Sequence, residues 1–249
     1  MTRGVVSRRV AQTAAVVLCA AAVKLHYSTA GAEHLRWILA PTAAAVGLFS
    51  GAHFEYEAHA GYVNGDRSFV IAPACAGVNF LITAFLLLSL SRLWWNRSRE
   101  MSWRFIPCAA LASYLATLAA NAVRISVALS MRGLPPLVGW LSPGELHRLE
   151  GSFVYFGFLL LLFALAEKVG PEDESSPGPT AGLLRRSLFP LLVYYATTLG
   201  VPLLNGAYRR GADFWEHALF VLLTPLALAL PLATLRLHRL YRDRRRVSE

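Results

Sequence analysis

Pro73-Ala74-Cys75-Ala76-Gly77-Val78-Asn79-Phe80-Leu81-Ile82-Thr83-Ala84-Phe85-Leu86-Leu87-Leu88-Ser89-Leu90-Ser91-Arg92 is the stretch that decides the fold. No charged side chain occurs between Arg67 and Arg92. About 20 apolar residues, rising 1.5 Å each as a helix, cross a hydrocarbon core roughly 30 Å thick. Similar runs lie at approximately 10–27, 35–54, 105–131, 152–169, 187–207 and 215–235. The chain has 249 residues, 55% of them hydrophobic and only 16% charged, too few charges for an ordinary soluble domain. The expected fold class is therefore all-α: a polytopic integral membrane helix bundle with about 6–7 transmembrane helices.

One segment departs from this pattern. Residues 55–74 carry Glu55, Glu57, Asn64-Gly65-Asp66 and Ser68-Phe69-Val70-Ile71. Asn-Gly signals a turn and the residues after it have β character, so an ordered loop is expected to deliver the chain to Cys75. Residues 1–34 hold an N-terminal span and loop, with Arg3, Arg8 and Arg9 ahead of an apolar stretch that reads as a retained span rather than a cleaved signal. Residues 35–170 form the core, 171–186 a linker rich in Pro, Ser and acidic residues, and 187–249 a two-span extension with a basic tail.

The net charge of +9 does not point to nucleic acid, because the basic residues fall in short clusters between apolar runs and at the C-terminus. That is the pattern of membrane orientation. With the loop 92–104 placed inside, the inner side holds Arg92, Arg97, Arg99, Arg104, Lys168, Arg185, Arg186 and the six arginines from Arg236 onward. The outer side, from residue 55 on, then holds Arg67, Arg132, Arg148, Arg209 and Arg210, giving 13 against 5. Seven spans would leave Arg3, Arg8 and Arg9 outside. If 10–27 or 35–54 is not a full crossing, they return inside. The tail Arg242-Asp243-Arg244-Arg245-Arg246 can meet anionic lipid headgroups, so membrane lipids are expected partners.

This orientation brings three polar side chains to one face. Cys75 opens the 76–95 span at the outer side, Arg124 lies about 12 Å below the outer end of the 105–131 span, and His147 closes the next outer loop. An Arg within a membrane segment is costly and marks function unless it snorkels out. A thiolate is the nucleophile in cysteine chemistry, and Pro73 suits the start of a helix whose first turn, positive in potential, would hold Cys75. His147 could serve as general acid and base, and Arg124 as the partner of an oxyanion; together they describe acyl transfer through a thioester. Taken singly, Cys75 has a packing reading and His147 an interfacial one. Asn121 shares a helix face with Arg124 and could orient it; Asn79, one turn after Cys75, could act likewise or bond between helices. Cys19 and Cys108 lie in apolar runs and read as packing residues. His53, Glu55, Glu57 and His59 are too loosely spaced to specify a metal site; no metal and no cofactor is expected.

These pieces resemble the exosortase/archaeosortase family of integral-membrane cysteine transpeptidases. The resemblance is carried by Pro73-Ala74-Cys75-Ala76-Gly77, by Ala120-Asn121-Ala122-Val123-Arg124, and by His147 followed by Gly151 and an apolar helix, over about residues 35–170. The compact length suits the small bacterial subtypes, of which exosortase K is one. The resemblance implies Cys75 as nucleophile, Arg124 as transition-state stabiliser and His147 as acid/base, with Asn121, Asn79, Gly77 and Gly151 in support. It implies a multi-pass protein of the bacterial inner membrane with its site facing the periplasm. It also implies the partners: exported proteins ending in a short motif, a transmembrane helix and a basic cluster. Ala76 stands where the family pattern has Ser, and 187–249 extends beyond the match. A different class remains open, a non-enzymatic transporter or an envelope-export assembly protein with Arg124 as an anion-binding site; the chain shows no inverted repeat in its favour.

Overall fold

The computed structural model describes residues 3–95, 102–131, 143–169, 188–204, 206–211, 214–216 and 218–227, together with 230, 231, 234 and 238. The linker 171–186 and the basic tail Arg242–Arg246 lie outside the described residues. The described chain is mostly helical and divides into two compact units, Met1–His147 and Arg148–Glu249. Among the described residues, four helices are long and apolar enough to cross a membrane: Val6–Thr29, Pro73–Leu93, Phe105–Ser130 and Glu145–Lys168.

In the first unit, α1 (Arg3–Thr29) is followed by α2 (Arg36–Ser50), a three-stranded sheet, α3 (Val78–Trp95) and α4 (Phe105–Ser130). α5 (Pro143–Val169) begins here and continues into the second unit. Large apolar side chains such as Leu18, Leu48, Phe49, Leu111 and Leu115 stand exposed on these helices. A water-soluble domain rarely leaves so much apolar surface uncovered, whereas lipid covers it at no cost. Inside, Ser113 and Thr117 of α4 donate to carbonyls one turn back, Ala109 O and Ser113 O. A hydroxyl satisfied within its own helix can sit in an apolar bundle.

The sheet corrects the all-α expectation. β1 (Phe54–Glu57), β2 (Gly61–Asn64) and β3 (Val70–Ile71) form an antiparallel meander in that order. Tyr56, Tyr62, Val63, Val70 and Ile71 are β formers, and the turns between them are built by polar and glycine residues. Asn64 Oδ1 accepts from Phe69 N at 2.7 Å and Arg67 takes a left-handed φ of 56°, closing the second turn. Gly61 has φ 117°, and a Cβ there would collide with Ile71 O, so the first turn requires glycine.

The run 35–54, whose crossing the sequence leaves open, holds a helix shorter than the four above. α2 has 15 residues, about 22 Å of helix, and ends where Gly51 turns left-handed at φ 70°. The end of α1 meets the start of α3, since Lys24 Nζ donates to Asn79 Oδ1 at 2.8 Å. Everything between, residues 30–77, therefore leaves and returns to one end of the bundle. Tyr56 ties the excursion to its own entrance: its hydroxyl donates to Glu33 Oε1 at 3.2 Å, and the Arg36 guanidinium lies 4.5 Å from its ring centre. Beneath it Leu35, Ile38, Leu39, Val46, Ile71, Ala76, Val78 and Ile125 form a buried cluster shared by α2, the sheet, α3 and α4.

In the second unit, Phe156 of α5 meets Tyr194 at 5.4 Å and Phe163 meets Phe189 at 6.3 Å. These contacts seat α5 on the shorter apolar helix Leu188–Leu204, which contains a π turn over Ala196–Gly200. Tyr195 Oη donates to Leu222 O at 2.7 Å, joining that helix to Phe214–Ala227. Gly151 is buried in α5, and Arg148 pairs with Glu216 at 2.7 Å.

Candidate active site

The sequence before α3 folds differently from a simple helix start. Pro73–Cys75 is a separate 3₁₀ turn with Cys75 N donating to Ala72 O at 2.8 Å. Gly77 then takes φ 71°, and its carbonyl accepts the first helical bond, from Leu81 N at 3.0 Å. Cys75 is thus not in the first turn of the long helix, as its position after Pro73 suggests, but in a short turn set off by Gly77. The left-handed residue bends the chain so that the Cys75 carbonyl points to α4 rather than along α3.

Gly77 is required on two counts. A side chain is strained at this φ, and a Cβ would stand 3.2 Å from both Asn121 Nδ2 and Thr117 Cγ2. Gly77→Ala is expected to cost about 1–2 kcal/mol from the backbone alone. That corresponds to a thermal midpoint roughly 2–8 °C lower for a chain of this size. An unchanged midpoint in detergent would show that the turn relaxes freely.

Asn121 is the hub. It is fully buried in α4, yet unlike Ser113 and Thr117 it bonds away from its own backbone. Its Nδ2 donates to the Cys75 carbonyl and its Oδ1 accepts from Arg124 Nε at 3.3 Å. Arg124 Nη1 in turn lies 3.5 Å from His147 Nε2. A guanidinium only donates, so in this pairing Nε2 can take part only as acceptor. Cys75, Arg124 and His147, 72 residues apart from first to last, are joined through one side chain. Cys75 is a free, half-buried thiol, Arg124 is half-buried, and His147 is exposed at the start of α5.

This arrangement can present a nucleophile on a rigid turn, brace a guanidinium through the same Asn121 side chain and keep an imidazole in reach of water. Asn121→Leu would leave the Cys75 carbonyl without its donor and Arg124 without its brace. It is expected to cost about 1–3 kcal/mol. A stability unchanged from the parent chain would remove Asn121 from its bracing role.

Two residues at the site escaped the reading of the sequence, Lys24 and Tyr27 of α1. Tyr27 packs, as Cys75 does, against the buried cluster. Lys24 was visible as a cation inside an apolar run, the same signal that singles out Arg124. Asn79 sits at the start of α3 under Lys24, while Gly151 belongs to the packing of the second unit. Cys19 and Cys108 are exposed rather than packed. Around the sheet, Glu57 pairs with Arg67 at 3.0 Å and His53 Nδ1 lies 4.0 Å from Glu55; among the described residues no cluster of His, Cys, Asp and Glu could hold a metal ion. No family model, curated protein or solved structure matches the chain.

Proposed function

We propose that the chain is a membrane-embedded cysteine peptidase or transpeptidase of the exosortase/archaeosortase type. It cleaves the C-terminal sorting signals of exported proteins at the outer face of the bacterial inner membrane. The observation that carries this reading is the continuous set of contacts from the Cys75 turn through Asn121 and Arg124 to His147. In this mechanism the Cys75 thiol proton passes to His147, Sγ attacks the scissile carbonyl and Arg124 stabilises the oxyanion; the C–N bond breaks as His147 gives the proton to the leaving amine, and His147 then takes a proton from the acceptor that attacks the thioester.

The topology that fits has six crossings: α1, α3, α4, α5, Leu188–Leu204 and Phe214–Ala227. Because 30–77 starts and ends at one side, the N-terminus lies inside and Arg3, Arg8 and Arg9 join the inner count. Arg36 joins the outer count, so the balance moves from 13 against 5 to 16 against 6, in keeping with the positive-inside rule. Cys75 faces outward, where an exported substrate would present the segment just above its own membrane helix.

The test is capture of the thioester. Membranes containing the chain and a co-expressed exported protein from the same genome, ending in a motif, a membrane helix and a basic cluster, are treated with hydroxylamine. The expected result is a shortened protein whose new C-terminus is a hydroxamate. Cleavage that yields only the free carboxylate at every hydroxylamine concentration would contradict a thioester. Absence of any cleavage for all such proteins would favour the alternative, an anion-binding transport or assembly protein.

A further inference from the structure

α1 brings a second cation to the site. Lys24 lies within the apolar stretch Val6–Thr29, half-buried, and among the described residues no carboxylate pairs with it. An ammonium without a counter-ion in an apolar helix is costly and persists where it serves a function. Its contacts are specific: Nζ donates to Asn79 Oδ1 at 2.8 Å and stands 5.5 Å from the centre of the Tyr27 ring. Tyr27 and Cys75 pack on the same buried cluster, and the Lys24–Asn79 bond ties this end of α1 to the start of α3.

The consequence falls on Asn79. A side-chain amide has an acceptor end and a donor end. Lys24 takes the acceptor end and so turns the two Nδ2 hydrogens away from α1. Asn79 is exposed, four positions after Cys75, and among the described residues no acceptor takes those hydrogens. Asn121 shows the same device satisfied, with its oxygen on Arg124 and its nitrogen on the Cys75 carbonyl.

We propose that Lys24 is a positioning residue that holds the Asn79 amide with its Nδ2 donors toward the reacting carbonyl, so that Asn79 and Arg124 together bind the oxyanion. This rests on the reading of Cys75 as an acyl nucleophile. Arg124 supplies charge from α4; Asn79 supplies a neutral, directed donor from α3, and Lys24 sets its direction from α1.

Two probes separate this role from a structural one. In detergent, the full chain carrying Cys19→Ala and Cys108→Ala keeps Cys75 as its sole thiol. p-Nitrophenyl acetate acylates Sγ: the S–C bond forms through an oxyanion, the ester C–O bond breaks, p-nitrophenolate leaves and the thiol proton passes to buffer. Iodoacetamide alkylates Sγ by displacing iodide, with no oxyanion. The ratio of the two rate constants cancels changes in thiolate fraction and access.

Lys24→Met is expected to lower the ratio roughly 100-fold, as loss of an oxyanion donor does. Asn79→Asp keeps an acceptor for Lys24 but has no donor, and should lower it as far. Lys24→Arg, another donor-only cation, should restore it. A ratio unchanged in Asn79→Asp or in Lys24→Met overturns the proposal, and so does failure of Lys24→Arg to restore it. A parent chain that shows no p-nitrophenolate burst, or a burst that survives Cys75→Ala, sinks the nucleophile reading itself.

Discussion

Cys75→Ala is expected to abolish cleavage of a sorting-signal substrate, a fall of at least about 10⁴-fold, because the proposed thioester needs the Cys75 thiolate. Cys75→Ser is expected to be nearly as inactive. A serine hydroxyl must lose its proton as it attacks and is far less nucleophilic than a thiolate at neutral pH. Neither change should threaten the fold. Cys75 is half-buried in a three-residue turn whose hydrogen bonds are made by backbone atoms, and the bond to Asn121 uses the Cys75 carbonyl. The ordinary alternative, Cys75 as a packing residue, predicts the reverse pattern: a lower thermal midpoint with cleavage intact. Cleavage assayed by gel shift in both variants, beside their midpoints in detergent, tells the two apart. Normal cleavage in both would sink the mechanism.

The long helices were legible because lipid imposes a single requirement, sustained apolarity over a span, and composition alone reveals it. α2 was not. Its run of apolar residues is nearly as long in sequence, and what shortens it is Gly51 in a left-handed turn together with a sheet that returns the chain. Hydropathy sees neither. The sheet itself was half legible: Asn64-Gly65 and the β formers after it signalled order, but pairing with Phe54–Glu57 depends on a non-local register.

At the site, orientation counting could bring Cys75, Arg124 and His147 to one face but could not say what holds them. That depends on Gly77, whose left-handed φ lets α4 approach, and on the two ends of the Asn121 amide. Lys24 was overlooked for a different reason. A single Lys near the end of an apolar run reads as an anchor at the interface, since its long stem can carry the charge to water. Only the contact with Asn79 shows that it turns inward to a neighbouring helix.

Arg124→Lys discriminates most sharply between catalysis and simple charge. The substitution keeps a cation at this depth, so the cost of burying charge and the attraction for a generic anion both persist. What it removes is the planar fork. Arg124 Nε and Nη1 engage Asn121 and His147 at the same time, at 3.3 and 3.5 Å, which fixes the plane of the guanidinium and directs its remaining donors. One ammonium on a flexible stem cannot span both partners while also facing a developing oxyanion. The expected result is a loss of about 10²–10³-fold in the acylation rate, with substrate KM changed far less. A thermal midpoint within a few degrees of the parent would accompany it. An anion-binding transporter predicts near-normal function for the same variant, because a point charge serves such a site almost as well. Single-turnover acylation of the lysine variant at the parent rate would therefore end the oxyanion role of Arg124. Retained Asn121–Cys75 geometry with a slow acylation step would localise the defect to the transition state, since the turn that carries the thiol is braced independently of the guanidinium.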